Sequence, residues 1–341
     1  MFEVRDVAVD ATAESAAAAR DQALAIGQRE AFYRLLQRLT LRQHRDLLPN
    51  LDTNTVATYV RDFSVSGEKT SDVRYLARIN VRFKESDIRT LLHEFGLPFS
   101  ETASKPAVVL PVLNRAGAAT LWREPNPWRS AWASSQLPSL PVPLLLPVGD
   151  IEDVGTVSVE MAMIGDRTTL QALASRYNAG AAIVVRADIA AIGAPHVELT
   201  VTRHEAGSAP VTYSQRVFAA FGETVDNVLD RAVHTAVDAI EESWKSQNLM
   251  RFDEGGIIAV SVPLRSLKHW LVVRQQLAET PVIDRTDLVL LSRQEALLNI
   301  HYIGGIDQLT RALAQSDLTL REFEGVWSLL TPETLGSVAT P

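Results

Sequence analysis

The sequence predicts a mixed fold of the α+β and α/β classes, built as three consecutive small domains. Patterns typical of strands and of helices alternate along almost the whole chain, which indicates sheets and helices layered around apolar cores. The chain has 341 residues, too many for one ordinary domain. Hydrophobic residues make up 46% of it, a share typical of folded globular proteins. We therefore expect compact domains, the last of them a ferredoxin-like split βαβ unit.

The first predicted domain covers residues 1–97 and has the order β-α-β-β-α. Its long helix carries small apolar residues at helical spacing, such as Ala19 and Ala23, and Gly27 fits the same close approach to a sheet. The predicted elements are a strand at 2–11, a helix from about 14 to 39, a short helix at 52–63, strands near 62–69 and 73–83, and a helix at 85–95.

The second predicted domain covers residues 107–250 and follows a linker at 98–106 that is rich in Ser, Thr and Pro. Strands and helices alternate in it and a hairpin follows, which favours an open α/β sheet. The predicted elements are strands at 107–113, 142–148, 181–189, 196–204 and 210–221, and helices at 127–135, 166–177 and 223–247.

The third predicted domain covers residues 255–331 and has the order β-α-β-β-α-β. That order is the pattern of the ferredoxin-like split βαβ unit. The predicted elements are strands at 256–262, 281–291, 295–303 and 326–330, and helices at 266–278 and 304–314. We expect the tail at 332–341 to be loose.

Charge and composition exclude several classes of protein. The net charge of −8 argues against a nucleic-acid partner, which requires a basic surface. The chain has no cysteine, and this excludes disulfides, thiol nucleophiles and cysteine metal sites. No apolar run is long enough to span a bilayer, so we expect no transmembrane segment.

The familiar catalytic and cofactor motifs do not occur in the sequence. There is no Gly-x-Ser-x-Gly elbow, and the seven histidines show no metal-binding spacing. Gly67-Glu-Lys-Thr70 lacks the upstream glycine and the Gly-Lys pair of a phosphate loop. We expect no catalytic residue, no cofactor and no metal site.

Two charged segments have a functional and a simpler interpretation. Asp150, Glu152 and Asp153 follow a predicted strand, where open α/β sheets bind ligands, but a solvated loop is the simpler account. A basic run in and after the first helix could meet anionic lipid or glycan, but a solvated helix face explains it as well. That run consists of Arg29, Arg34, Arg38, Arg42 and Arg45.

The segment from Trp122 to Trp132 holds three of the six tryptophans of the chain. Asn126 and Pro127 predict a helix start, with Asn as N-cap and Pro at the first helical position. Trp128 and Trp132 then share one helix face. The rings could anchor this helix to the core or form a recognition surface. For a partner or ligand surface the candidates are Trp122, Arg123, Asn126, Trp128, Arg129, Trp132 and Asp150.

Several segments together resemble the bacterial family known as domain of unknown function 2066. They are Ala18 to Ala23 with Leu35-Leu36, Leu121 to Trp132, Tyr177-Asn178-Ala179, Tyr302 to Gly304, and Trp327 to Leu329. The resemblance covers nearly the whole chain, and the tryptophan segment is its specific part. It implies a Gram-negative envelope protein with no established activity. The first domain also resembles the N-terminal domain of flagellar assembly protein T, and the middle one resembles that of TolB.

These observations favour a non-catalytic periplasmic interaction or scaffold protein with an envelope protein as partner. The opening Met1-Phe-Glu-Val-Arg runs straight into a strand, so we expect a signal peptide to have been removed. The alternative is a module that binds a small molecule, lipid or glycan in a cleft between the first and middle domains. Peripheral contact with a membrane or glycan stays open. A hydrolase with Asp150 and Glu152 as acid pair is the least favoured hypothesis.

Overall fold

The fold is mixed α and β, with three sheets among the described residues, as the sequence predicts. The computed structural model of the chain describes residues 1–137, 140–189, 196–250, 255–323 and 325–335. By its internal contacts the chain divides into two compact units. The first comprises Met1–Thr102 with Lys245–Pro341, and the second comprises Ala103–Trp244.

The N-terminal part of the first unit is a three-stranded antiparallel sheet of order β1-β3-β2 that packs against a long helix. Ser15 caps that helix by accepting a hydrogen bond from the Ala18 N–H, as helix N-caps do. The elements are β1 (Glu3–Thr12), α1 (Ala16–Leu39), a 3-10 helix (Arg42–Leu47), α2 (Thr53–Tyr59), β2 (Val60–Thr70), β3 (Arg74–Phe83) and α3 (Glu85–Glu94).

Small residues let α1 lie directly on this sheet. Ala19, Ala23 and Ala31 are all buried in the core. A Cβ added at Gly27 would lie 2.3 Å from Cγ1 of Val9. The backbone of α1 therefore approaches β1 more closely than any other residue at position 27 would permit.

The second unit holds a sheet whose main order is β5-β4-β7-β8-β9, and β6 also pairs with β4. β4 runs parallel to β7, and β7, β8 and β9 are antiparallel. The elements are β4 (Ala107–Arg115), β5 (Ala118–Thr120), α4 (Pro127–Ser134), β6 (Leu144–Leu145), α5 (Ile151–Thr156), α6 (Val159–Ile164), α7 (Arg167–Arg176), β7 (Ala181–Ile189), β8 (His196–Glu205), β9 (Val211–Phe218) and α8 (Val225–Gln247).

Helices cover this sheet on both faces. Side chains of α4 and α8 pack with Val109 of β4 in one core. Side chains of α6 and α7 pack with Val108 and Leu110 in another. A strand that is buried on both faces reads as an unbroken apolar run, which is how β4 appears in the sequence.

The prediction of a strand over 142–148 is wrong for most of that range. Only Leu144–Leu145 pair with β4, and the neighbouring residues lie outside any strand. Pro141, Pro143 and Pro147 flank the pair, and proline has no N–H to donate to a sheet. The short helices α5 and α6, which the sequence analysis did not predict, follow with Asp150 and Ser158 as their N-caps.

The C-terminal part of the first unit has the predicted β-α-β-β-α-β order, with one additional strand, β13. Its sheet order is β11-β12-β10-β14-β13, and β10 runs parallel to β14. The elements are β10 (Gly255–Pro263), α9 (Leu267–Ala278), β11 (Ile283–Leu291), β12 (Glu295–Ile303), α10 (Ile306–Gln315), β13 (Thr319–Phe323), β14 (Val326–Leu330) and α11 (Pro332–Leu335).

The tail predicted as loose begins with α11, in which Thr334 is buried and accepts a hydrogen bond from the Thr331 N–H at 2.9 Å. The rest of the tail, 336–341, lies outside the described residues.

The N-terminal and C-terminal parts of the first unit share one continuous core. Phe99 forms β-bridges with both Thr40 and Met250. The Lys245 ammonium also donates to the Thr40 carbonyl oxygen, with 2.8 Å between the two atoms. Whether the chain folds as three domains stays a prediction. Among the described residues, no helix is long and apolar enough to cross a membrane.

Candidate interaction surface

The tryptophan segment starts a helix where the sequence predicts one. Asn126 is the N-cap of α4, and its Oδ1 accepts from the Arg129 N–H at 3.1 Å, with Pro127 opening the helix. Its Nδ2 donates to the Leu121 carbonyl oxygen at 3.1 Å. Asn126 is therefore fixed on both sides and buried.

Three of the candidate surface residues belong to the core, which corrects their assignment to a partner surface. Trp128 and Trp132 have only 0% and 6% of their area exposed, and Asn126 is buried with them. The two rings meet edge to face with 5.8 Å between centroids. The Trp128 indole N–H donates to the Val185 carbonyl oxygen at 2.9 Å. The large apolar area of both rings favours this burial, since no exposed site would gain as much.

Trp122 and Arg129 are half-buried and hold the segment that follows β6. The Trp122 indole N–H donates to the Val157 carbonyl oxygen at 2.7 Å, and the Arg129 guanidinium lies 5.6 Å from the Trp122 ring centroid. The same guanidinium donates to the carbonyl oxygens of Pro147 and Val148, at 2.6 and 2.8 Å. Arg123 is exposed beside Trp122 in the chain.

Gly149 is required at this junction. Its φ is 81°, in the left-handed region that favours glycine. A Cβ there would also lie 3.3 Å from Cε3 of Trp122 and 3.2 Å from a guanidinium nitrogen of Arg129. The glycine thus lets the chain pass close to both side chains.

A buried carboxylate fixes the same segment from inside. Asp153 is fully buried and accepts from the Tyr177 hydroxyl at 2.7 Å and from the Gly149 N–H at 2.8 Å. The Tyr177 oxygen in turn accepts from the Val148 N–H at 2.9 Å. Burial, with the bond to Asp153 next, raises the pKa of Tyr177, so the phenol keeps its proton.

One guanidinium meets the three acidic residues singled out in the sequence. Arg176 pairs with Asp150 at 2.6 Å and Asp153 at 3.0 Å, and it also contacts Glu152. Asp150 is exposed and serves as the N-cap of α5. Asp150 and Glu152 thus share an ion-pair partner, which accounts for both side chains without a reactive acid pair.

Apolar side chains on the outside of this fixed segment are exposed to solvent. Ile151 is 90% exposed and Val148 75%. Ile151 and Val154 lie three residues apart on α5 and face outward, while Asp153 between them points in. We call the exposed apolar residues of this segment the 148–164 surface: Val148, Ile151, Val154, Met161 and Ile164. The sequence does not predict them, because α5 and α6 are too short to show a helical period.

The second unit, Ala103–Trp244, also contains a polar cleft of about 350 Å³. Lys105, Arg167, Ser175 and His204 are among the residues that line it. Burial, and then the charge of Arg167, lowers the pKa of His204, so the imidazole is neutral at pH 7.

Three arginines of the basic run bond to groups near them in the structure. Arg29 donates to the Leu51 carbonyl oxygen at 2.9 Å, and Arg38 donates to the Glu3 carbonyl oxygen at 2.7 Å. Arg34 pairs with Glu30. Gly67–Thr70 lie within strand β2. In the part of the chain that the structure describes, no three His, Asp or Glu side chains are grouped to hold a metal ion.

No family model and no curated protein matches the chain. Among solved structures, a lipoprotein from Neisseria meningitidis is similar over 40% of this chain and 97% of its own, with 11% identity and a TM-score of 0.28. A DUF330 protein from Xanthomonas campestris is similar over 42% of this chain and 83% of its own, with 10% identity and a TM-score of 0.18. Scores this low carry no argument about function.

Proposed function

We propose that this protein is a non-catalytic interaction or scaffold protein of the cell envelope. We further propose that it binds a protein partner through the 148–164 surface. The observation that carries the proposal is the high exposure of Ile151 (90%) and Val148 (75%) on a segment whose backbone is hydrogen-bonded to buried or half-buried side chains. Apolar side chains grouped on a surface usually mark a contact site. The exposed part of the anchor Trp122 and the exposed Arg123 next to it in the chain would supply the rim.

The hydrogen bonds that hold the backbone of residues 147–149 support the proposed binding surface. The carbonyl oxygens of Pro147 and Val148 accept from the Arg129 side chain, and the Gly149 N–H donates to the Asp153 side chain. A surface that is already ordered loses little conformational entropy when it binds.

The envelope location is part of the proposal and rests on the resemblance of the sequence to domain of unknown function 2066. The same resemblance supports a signal peptide removed from the mature protein and a periplasmic location. The division into three domains is proposed on the order of strands and helices in the sequence, and the domain-level likenesses to TolB and flagellar assembly protein T are proposed as fold-level analogies.

Site-specific crosslinking in the native host tests the partner surface. A photoreactive residue at Ile151 should trap one partner, which purified protein should then bind in a titration. The matched control is Ile257, an exposed isoleucine of the other unit, at which the same partner should not be trapped. Ile151→Asp should abolish the titrated binding and Ile257→Asp should keep it. Equal trapping at both positions, or none at Ile151, would refute the proposed surface.

The second candidate function is binding of a small anionic ligand or glycan in the polar cleft of the middle unit. Its volume falls in the range of small-molecule sites, and two basic residues, Lys105 and Arg167, line it with one acidic residue, Glu205. Thermal-shift assays with envelope glycans and anionic lipid headgroups test this. A shift that Arg167→Ala abolishes would favour it, whereas no shift across the panel would exclude it.

A further inference from the structure

His269 lies buried in the first turn of α9, and both nitrogens of its ring are in contact with other groups. The Arg265 backbone N–H donates to Nδ1 at 3.3 Å, and Nε2 lies 3.0 Å from the Thr331 hydroxyl oxygen. Because Nδ1 accepts a hydrogen bond, the ring proton sits on Nε2, which therefore donates to Thr331. The two contacts together require a neutral imidazole in this tautomer.

The bond from His269 begins a chain of hydrogen bonds that continues into α11. The hydroxyl oxygens of Thr331 and Thr334 lie 3.2 Å apart, and Thr334 also accepts from the Thr331 N–H at 2.9 Å. Thr334 is the only buried residue of α11, a helix of four residues. So short a helix does not persist alone in water. Since α11 buries no apolar side chain, the segment 331–335 is attached mainly through this polar chain.

Protonation of the His269 ring would break the chain at its start. It places an N–H on Nδ1 that points at the N–H of Arg265, and two donors cannot bond to each other. It also places a positive charge in the first turn of α9, where the helix dipole disfavours a cation. The closed arrangement is therefore incompatible with the charged ring.

No neighbouring carboxylate compensates for such a charge. His269 makes no ion pair among the described residues, whereas His301 meets Asp287 at 2.8 Å. The strands that lead into the two contacting segments, β10 and β14, contain no charged residue. The charged residues beside the contacting atoms in the chain are Arg265, Lys268 and Glu333. Two of these are basic, and the acidic one is exposed on α11.

We propose that His269 is a pH-sensitive latch, which holds the segment 331–335 against the start of α9 while the ring is neutral and releases it when the ring is protonated. Histidine changes its charge between about pH 5 and pH 8. Because only the open state accepts the added proton, a falling pH favours opening and a rising pH favours closing. Opening detaches the chain that follows β14 from the rest of the C-terminal sheet.

Hydrogen exchange of the full chain, followed by mass spectrometry, measures the state of this latch. In the closed state the N–H groups of Thr334 and Leu335 both donate to the Thr331 carbonyl oxygen, so they are protected from exchange. A protection factor compares each rate with that of unstructured chain at the same pH, which removes the direct effect of pH on exchange.

We expect the protection of the segment 331–335 to fall as the pH is lowered from about 8 to about 5, by up to about tenfold per pH unit, the limit for an opening linked to one proton. Protection within α10 is the internal control. It should not change over the same range, because α10 takes no part in the hydrogen bonds of the latch.

Substitutions separate the His269 ring from general effects of acid. His269→Gln cannot take up a proton and should abolish the fall in protection, whereas His301→Gln changes a histidine outside these bonds and should leave the fall intact. Thr331→Val should lose protection already at the alkaline end of the range, and Thr331→Ser, which keeps the hydroxyl, should retain it. Constant protection in the wild type, an equal fall in His269→Gln, or a parallel fall in α10 would overturn the proposal.

Discussion

Tyr177 holds Asp153 and Val148 at once: its hydroxyl donates to the Asp153 carboxylate at 2.7 Å and accepts from the Val148 N–H at 2.9 Å. Tyr177 follows the last residue of α7, whereas Val148 is one of the exposed residues of the 148–164 surface. The two bonds join the Tyr177-Asn-Ala motif to the segment that the tryptophan motif holds from its other side. Two motifs that are distant in sequence thus support one surface.

Removal of the Tyr177 hydroxyl should destabilise the protein. Tyr177→Phe leaves the buried Asp153 with one donor fewer, which costs about 1–3 kcal/mol for a buried polar group. The free energy of unfolding in urea measures this. Tyr213→Phe is the control, since Tyr213 is exposed and its hydroxyl bonds only locally, to Gln215. Equal effects of the two substitutions on the free energy of unfolding would show that the Tyr177 hydrogen bonds do not stabilise the fold.

The two kinds of tryptophan in the motif should differ in their effect on stability. Trp128→Ala empties a fully buried site and removes the donor to the Val185 carbonyl oxygen, so we expect a loss of about 3–5 kcal/mol. Trp122→Ala removes a half-buried ring and should cost about half of that or less. Urea unfolding of both variants tests the order. A larger loss for Trp122 would contradict the placement of Trp128 in the core.

Glycine at position 27 should be irreplaceable even by alanine. Although alanine favours a helix by about 1 kcal/mol, Gly27→Ala brings a Cβ against Val9 and Ile79, so we expect net destabilisation. Gly155→Ala in α5 is the matched control, because no atom lies within 4 Å of its added Cβ. That variant should gain up to about 1 kcal/mol. Thermal unfolding measures both, and a stabilised Gly27→Ala would refute the close approach of α1 to β1.

Glu101 should make stability fall as the pH rises through the weakly acidic range. Burial raises the pKa of Glu101, although the Arg89 guanidinium 2.9 Å away opposes the rise. The folded protein then binds more protons than the unfolded chain between the ordinary pKa of 4.5 and the raised one. Stability must therefore decrease with pH across that window.

The comparison of wild type with Glu101→Gln isolates this contribution from those of other carboxylates. The difference in free energy of unfolding should change as the pH rises from the ordinary carboxyl pKa of 4.5 through the raised one, and it should favour the variant more at the higher pH. Glu85→Gln removes an exposed carboxylate that also pairs with Arg89 and serves as control. A pH-independent difference for Glu101→Gln would contradict the raised pKa.

The local sequence predicted where helices start better than it predicted which side chains are buried. Asn126-Pro127 predicted the start of α4 because capping depends on a few neighbouring atoms. The same residues could not show whether Trp128 and Trp132 face a core or a partner, since both environments favour large rings. The predicted strand at 142–148 failed because an apolar run without helical period resembles a strand even where proline prevents pairing.

Only part of the candidate site could be predicted. Trp122, Arg129 and Asp150 do lie in or beside the segment that carries the 148–164 surface, yet none of the exposed apolar residues of that surface was among the candidates. The exposure of Leu288 to Leu291 in β11 could not be predicted from the sequence either. An apolar strand at the edge of a sheet has the same sequence pattern as one inside it.

The anchors of the 148–164 surface bond mainly to its backbone. Arg129 is bonded to two carbonyl oxygens, Trp122 to a third, and Tyr177 to a backbone N–H. None of these bonds depends on which side chain occupies position 148, 151 or 154. The outward residues can therefore be exchanged, in evolution or by design, while the backbone beneath them keeps its shape.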